Sequence, residues 1–488
     1  MTIYESNLKS SIKNLKSIMS LSHKIAKNTI IQILGKILST ILALFSIGLI
    51  TRYLGPKGFG QYTIIIAFLS FFGILVDMGI YLTTLQMISE PGRDCQKIFS
   101  NGFTLRLTIS VILLTLAPIL ALLFPYPDVV KKGIFVATFA FFFISLCQIL
   151  HAIFQKELKM IEAEISEIIG KAIILGSIIL ATYYKLDLIF IMLCLVLGNF
   201  THFIIKFIYS RKYIKIKLSF DKQIWKEIFF KSWPIALSIV FNLVYLRGDT
   251  IILSLFVSET QVGFYGASYK VLDVLTTLPI IFAGLMMPLF TVAWAEKNIG
   301  KLKKYLQTSF DIALMTSIPI ILGTQFIATQ VMTLVAGNEF MPSGKILKVL
   351  IIAVNMIFFG TIFGHFIVAI NQQKLMLFGY LTTAILSLLG YLIFIPKFSY
   401  MGAAWVTVFS ETLVSIIAIT IIYQKTKISL NFKKCLKSLL SGILMVICLY
   451  FMRGANLFII ILAGIIVYLI AMFAIGGIDK EMMQTLKN

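Results

Sequence analysis

Apolar residues along this chain form long stretches parted by short polar and basic segments. A helix needs about 20 consecutive apolar residues to cross a bilayer's hydrocarbon. Fourteen such runs are present, at roughly 29–53, 60–88, 99–124, 132–155, 161–184, 187–209, 230–257, 261–291, 306–333, 346–371, 374–395, 400–423, 436–452 and 456–475. Several links between them are tight: Gly55-Pro56-Lys57-Gly58, Pro125-Tyr126-Pro127-Asp128 and Pro396-Lys397. Gly and Pro in such positions mark turns between antiparallel helices. The pattern predicts an all-α integral membrane protein of about 14 transmembrane helices.

Lysine and arginine set the orientation. One set of links carries Lys9, Lys13, Arg93, Lys97, Lys156, Arg211, Lys212, Lys301, Lys433, Lys480, Lys487 and others, in threefold excess over a second set with Arg52, Lys57, Lys185, Lys345, Lys397 and Arg453 among its members. The richer side is the cytoplasmic one. An even number of spans then brings the C-terminus back to the side of the N-terminus, so both ends are expected in the cytoplasm. Residues 1–27 are polar and Lys-rich with Leu8, Ile12, Leu15 and Met19 on one face, as in a basic interfacial helix, and carry no cleavable signal.

The turn after span one reads Gly58-Phe59-Gly60-Gln61-Tyr62, and the turn after span seven reads Val262-Gly263-Phe264-Tyr265. Aligning Gly60 with Gly263 offsets the two halves by about 200 residues, close to the distance between the starts of spans one and seven. Six spans per unit give a parallel repeat: two six-helix lobes facing a central cavity, as in transporters. The expected divisions are a basic amphipathic tail (1–27), an N-lobe (28–209), a cytoplasmic linker (210–229), a C-lobe (230–425) and a last helix pair with a cytoplasmic tail (426–488).

Composition narrows the class. Of 488 residues, 59% are hydrophobic and 13% charged, with mean hydropathy +0.95. A soluble surface needs more charge, so the apolar excess faces lipid. The net charge of +22 is spread over short links, and no soluble segment is long enough for a nucleic-acid-binding fold. Cys95, Cys147, Cys194, Cys435 and Cys448 show neither a CxxC pair nor metal spacing. Walker A, HExxH, GxSxG and DxD-type sequences are lacking, which argues against an enzyme, a nucleotide-driven pump or a bound cofactor. The 41 Phe and 19 Tyr read as lipid-facing bulk and interfacial belt, with no sugar-stacking platform apparent. His151, His202 and His365 lie on different spans without ligand spacing and read as hydrogen-bonded interior residues.

Ionisable residues inside spans carry the chemistry. The basic ones are Lys36, Arg106, Lys171, Lys206, Lys231, Arg247 and Lys270; the acidic ones are Asp77, Glu164, Glu167, Asp249, Asp273, Asp311 and Glu411. Lys206 and Lys231 stand near cytoplasmic ends and are expected to snorkel. The other basic residues each cost at least ~2.5 kcal/mol at the bilayer centre, so they should face the protein interior or a wet cavity. Spans seven and eight place Arg247, Asp249, Lys270 and Asp273 at one depth, with Lys270 and Asp273 an i,i+3 pair. Singly, such residues serve equally well as ion pairs that fix helix packing, Asp249–Lys270 for example. As a set they point to a cavity, with Arg247, Lys270, Lys36, Arg106 and Lys171 as its candidate binding residues.

The segment Leu54-Gly55-Pro56-Lys57-Gly58-Phe59-Gly60-Gln61-Tyr62 resembles the LGPxxFGxY turn of the polysaccharide-biosynthesis oligosaccharide flippases. These share a superfamily with the multidrug and toxin extrusion transporters. Pro234 through Asp249 and Gly263-Phe264-Tyr265 to Pro279 and Pro288 is similar to the family's spans seven and eight, and Gly402-Ala403-Ala404 to the start of its span twelve. The resemblance implies a V-shaped pair of lobes, plus the C-terminal helix pair. It implies alternating-access transport of a polyprenyl-(pyro)phosphate-linked oligosaccharide to the outer leaflet of the inner (plasma) membrane, for O-antigen, capsule or another exopolysaccharide. Partners would be the lipid-linked sugar, the bilayer, and glycosyltransferases with a polysaccharide polymerase. The five cavity cations would balance the phosphate, and Asp249, Asp273 or Asp77 would hold a coupling proton or sodium ion. Two other readings stand beside it: a cation-coupled multidrug exporter, and a non-transporting scaffold of a glycan-assembly complex. Fourteen spans and buried positive charge weigh against the exporter.

Overall fold

The computed structural model describes residues 2–452 and 454–477, with side chains from Asn28 onward except at 29, 234 and 246. Arg453, Lys480, Lys487 and the side-chain pattern assigned to the tail 1–27 lie outside the described residues. All regular structure among the described residues is helical: α1 (Thr2–Asp77), α2 (Ile80–Ser89), α3 (Cys95–Ala121), α4 (Asp128–Lys156), α5 (Met160–Tyr183), α6 (Leu188–Ser210) and α7 (Lys222–Phe256). There follow α8 (Glu259–Ala295), α9 (Ile299–Ala336), α10 (Ser343–Ala369), α11 (Gln373–Thr426), α12 (Lys433–Phe451) and α13 (Leu457–Ala474), with a short 3-10 turn at Asn338–Phe340.

Eleven helices are long and apolar enough to cross a membrane, and α7, bent between Lys222–Trp233 and Ile235–Tyr245, makes twelve. Two of these are double. The stretch Ile30–Ser89 is 60 residues, about 90 Å of straight helix and three times the hydrocarbon thickness. It breaks at Gly55 (φ 63°), a left-handed conformation that glycine adopts without Cβ strain. The 54 residues of α11 break at Ser399 (φ 53°). There the chain reverses, since Tyr391 Oη lies 3.4 Å from Thr407 Oγ1. Counting both hairpins gives the fourteen spans the sequence predicts. The break in α11 falls three residues beyond Pro396, because proline is tolerated where neighbouring helices re-satisfy the backbone.

One predicted span is interrupted. Residues 60–88 read as continuous, yet the helix ends at Asp77 and restarts at Ile80, with Met78 and Gly79 both at positive φ. The interruption frees backbone carbonyls at the end of α1, which need a donor. Arg106 of α3 supplies it, donating to Val76 O at 3.1 Å.

The chain forms two compact units, Met1–Leu49 with Phe68–Ala236, and Ile50–Ala67 with Leu237–Asn488. In the first, α3 and α6 pack on α4, around Phe99, Leu146, Ile149 and Leu150. Gly170 of α5 and Gly198 of α6 face each other's carbonyl oxygens so closely that a Cβ on either would clash. This small-residue contact brings neighbouring Lys171 and His202 together. In the second unit, α8, α9 and α11 pack on α10, and α12 and α13 pack against α9 through Met445, Leu449, Tyr468 and Met472.

The repeat is visible in the second unit's packing. A Cβ on Gly60 would overlap the carbonyl oxygen of Glu259, and one on Gly263 would overlap that of Pro56. Gly266 likewise meets Thr63. The Gly60–Gly263 offset turns the Gly60–Glu259 contact into the Gly263–Pro56 one and relates Thr63 to Gly266, so the two equivalent turns pack on each other reciprocally, as a two-fold relation requires.

Candidate functional site: two polar cavities within the membrane-spanning helices

The first unit encloses a cavity of about 460 Å³. Its cations are Lys36 of α1, Lys171 of α5 and Lys206 of α6; its carboxylates are Asp77 and Glu167; Gln148, His151 and His202 complete its polar wall. Lys36 Nζ lies 3.7 Å from Glu167 Oε1. Lys206 Nζ lies 3.3 Å from His151 Nδ1 and the residue is only 3% exposed. It therefore does not snorkel to an interface as the sequence suggested: its face of α6 turns inward onto α4. His202 Nε2 is buried with no hydrogen-bond partner among the described residues.

Arg106 does not line this cavity. Its side chain is wholly buried, donating to Asp77 Oδ1 and Gln148 Oε1, to Ser145 Oγ at 2.7 Å and to Val76 O. A guanidinium so fully paired is a positioning residue. It fixes the α1–α2 break and presents Asp77 and Gln148 to the cavity.

The second unit holds a cavity of about 530 Å³ between α7, α8, α10 and α11. Arg247 Nη2 lies 3.1 Å from Asp273 Oδ1, and Lys270 Nζ lies 3.4 Å from Asp273 Oδ2. One carboxylate thus serves two cations. The Arg247 guanidinium also sits over the Tyr269 ring, 5.2 Å from its centroid, a cation–π geometry. Tyr245, Tyr380, His365 and Glu411 complete the polar wall.

Asp249 is turned elsewhere. It is fully buried, its Oδ2 accepting from Tyr265 Oη at 2.6 Å and its Oδ1 from Thr250 N at 2.5 Å. Two residues apart on a helix are about 200° apart in azimuth, so Arg247 and Asp249 cannot face one cavity. The pairing that forms is Lys270–Asp273, not Asp249–Lys270.

The sequence profile of the polysaccharide biosynthesis protein family matches residues 25–294. The chain belongs to that family. The turns at 54–62 and 263–265 lie within the matched region, and 402–404 lies outside it. The family member is 24% identical over 344 residues to a Shigella flexneri protein named as an O-antigen transporter, covering 67% of this chain and 81% of that one. It is 24% identical over 200 residues to a Haloferax volcanii protein named as a low-salt glycan biosynthesis flippase, covering 40% and 42%. Among solved structures, a lipid II flippase in an inward closed conformation superposes with TM-score 0.77 at 18% identity, over 90% of this chain and 97% of that one. An inward-facing multidrug resistance transporter of the MATE family gives 0.68 at 15% identity, over 80% and 94%. These likenesses establish a multi-pass membrane transporter fold.

Of the residues singled out from this family member's sequence, Lys36, Lys171 and Asp77 meet in the first cavity, and Arg247, Lys270 and Asp273 at the second. Sequence reasoning missed Lys206, Glu167, His151 and His202 as first-cavity residues, and Tyr245, Tyr380, His365 and Glu411 as second-cavity ones. The usable signal was the spacing of Glu167 and Lys171, and of His202 and Lys206: each is an i,i+4 pair of polar residues in an apolar span.

Proposed function

We propose that this protein moves a polyprenyl-phosphate- or pyrophosphate-linked oligosaccharide from the cytoplasmic to the outer leaflet of the plasma membrane by alternating access, for surface polysaccharide assembly. In this reading both termini are cytoplasmic, residues 28–209 and 230–425 are the two lobes, 210–229 links them, and 426–488 adds the last helix pair. Glycosyltransferases and a polysaccharide polymerase act before and after the step. The observation that carries the reading is the first cavity's charge: Lys36, Lys171 and Lys206, with Arg106 behind them, against Asp77 and Glu167. Such a gathering of cations between membrane-spanning helices suits an anionic ligand.

The cavities also match the physical problem. Each unsatisfied sugar hydroxyl costs a few kcal/mol in hydrocarbon, roughly 2–7 depending on reference state, and polar walls remove that cost while the lipid tail stays in the bilayer. Lys36 and Lys171 meet the phosphate, joined by Lys206. An inside-negative potential assists outward transfer of an anion by ~2.3 kcal/mol per charge per 100 mV. Asp77 and Asp273 face cavities and remain the candidate sites for a coupling proton or sodium ion; Asp249 serves tyrosine and threonine hydroxyls instead.

The test is flipping of a fluorescent lipid-linked oligosaccharide in vesicles containing the purified protein. Protein-dependent loss of protected probe supports the proposal; equal protection with and without protein rejects it. The multidrug-exporter reading draws on the drug-transporter fold alone, and cationic drug accumulation in an efflux-deficient strain tests it. The scaffold reading expects substitutions in either cavity to be silent.

A further inference from the structure

We propose that the second-unit cavity is a subsite for a neutral sugar ring, with Glu411 as the acceptor for one of its hydroxyls and Tyr245 and Tyr380 as the platform for its C–H face. The inference deepens the flippase reading and rests on it for the source of the sugar.

Glu411 carries the argument. It lies on the second limb of α11, is 5% exposed, and contributes to the cavity wall. Its Oε1 has no hydrogen-bond partner among the described residues. A buried carboxyl oxygen left unpaired is costly, and a ligand group that donates to it recovers that cost. The donor must be an O–H or N–H delivered through the cavity.

The rest of the wall selects the kind of ligand. Arg247 and Lys270 are both met by Asp273, so a phosphate would have to compete with that carboxylate for the two cations. A guanidinium has five N–H donors in a fixed fork, and those not given to Asp273 remain for hydroxyl oxygens. The rings of Tyr245 and Tyr380 are stacked, with centroids 6.4 Å apart and planes 21° from parallel, and both border the same space. Flat aromatic faces beside paired donors and acceptors match a pyranose, which has an apolar C–H face and a rim of hydroxyls. The volume of about 530 Å³ falls within the range of small-molecule sites, roughly 300–1,000 Å³.

The experiment uses the full chain in lipid nanodiscs. Saturation-transfer NMR is run with neutral methyl glycosides of glucose, galactose, rhamnose and N-acetylglucosamine, each with and without inorganic pyrophosphate. Saturation should reach the ring protons of at least one glycoside and survive added pyrophosphate. Loss of the Glu411 hydrogen bond should weaken that glycoside about tenfold in Glu411→Ala, and Tyr380→Ala should do likewise. Glu411→Gln, which keeps shape and an acceptor, should retain most binding, separating a lost contact from a misfolded chain. No transfer to any of the four glycosides, or equal transfer in folded Glu411→Ala, overturns the subsite. If glycosides bind and lipid-linked oligosaccharide is not flipped, the flippase reading fails and the subsite stands. If flipping proceeds without glycoside binding, the reverse holds.

Discussion

The two cavities are built from equivalent halves of a repeated chain, yet they differ in how their charges are held. In the first, Lys36, Lys171 and Lys206 face two carboxylates, one of which, Asp77, is already engaged by buried Arg106. In the second, Arg247 and Lys270 share Asp273 at side-chain exposures near one third, and Glu411 stands in the same wall without pairing to either. The first gathers three lysines; the second holds its two cations on one shared carboxylate and is rich in tyrosine. Duplication supplies two polar chambers, and the few ionisable residues in each make them electrostatically different.

The largest effect should come from breaking the first chamber's support. Asp77→Ala leaves the Arg106 guanidinium buried with no carboxylate, a class of change that costs about 3–5 kcal/mol. The corresponding change in the second chamber, Asp273→Ala, strands two partly exposed cations and should cost about 1 kcal/mol or less. Thermal unfolding of the two purified variants measures both. Equal destabilisation would remove the distinction between a buried and a wetted ion pair.

Next comes the affinity for anions. Replacing Lys171 and Lys206 together by Ala should weaken pyrophosphate binding by about 100-fold, the order expected for losing two partly buried charges. Replacing Arg247 and Lys270 together should change it by less than about threefold, since Asp273 already engages both. Isothermal titration with pyrophosphate separates the two. A larger loss in the second variant would mean that the anion sits in the second chamber.

A smaller gain sharpens the same contrast. Asp273→Asn removes the shared counter-charge and turns the second chamber positive, so pyrophosphate should bind there with a few-fold higher affinity. The gain should vanish when Arg247→Ala is added. No gain would show that Arg247 and Lys270 are unable to reach a ligand.

The fold was far more legible from the sequence than the chambers were. Runs of apolar residues and Gly/Pro turns report helix number directly, because lipid forces every span to satisfy its backbone internally. The repeat was legible too, since Gly60 and Gly263 are needed where two backbones touch and no side chain fits. Which charges meet was not. Arg247 and Asp249 lie at one depth, yet helical azimuth sends them to different surroundings. The break at Met78–Gly79, which gives Arg106 its carbonyl partner, lies inside an apolar run whose hydropathy does not register it. Lys206 stands near the end of an apolar run, where snorkelling is the economical expectation, and only the facing helix α4 shows that the inward route is taken. Tyr245 and Tyr380 were hidden among many tyrosines; their stacking depends on the first limb of α11 lying beside α7, where Tyr391 Oη donates to Tyr245 O at 2.8 Å.

The smallest effect concerns the basic segment after α6, which is held to the first unit. Lys97 Nζ lies 2.7 Å from Asp221 Oδ2, Asn101 Oδ1 accepts from Asp221 N at 2.7 Å, and Thr104 Oγ1 accepts from Ser219 N at 2.9 Å. Arg93 adds a two-pronged pair with Glu227 at 2.8 and 2.7 Å. The Lys97 ammonium, and then the backbone N–H groups of Ile224 and Gln223, hold the Asp221 carboxyl below its ordinary range. A carboxyl depressed in the folded state stabilises the contact above its ordinary titration range and loses that contribution as pH falls through the folded value. Asp221→Asn at neutral pH should therefore mimic acidification of the native protein: faster amide exchange across residues 211–221, with little change in global unfolding because the pair is exposed. Exchange followed by mass spectrometry at neutral and acidic pH checks both. If Asp221→Asn leaves exchange in that segment unaltered, the Asn101 and Thr104 hydrogen bonds alone hold it.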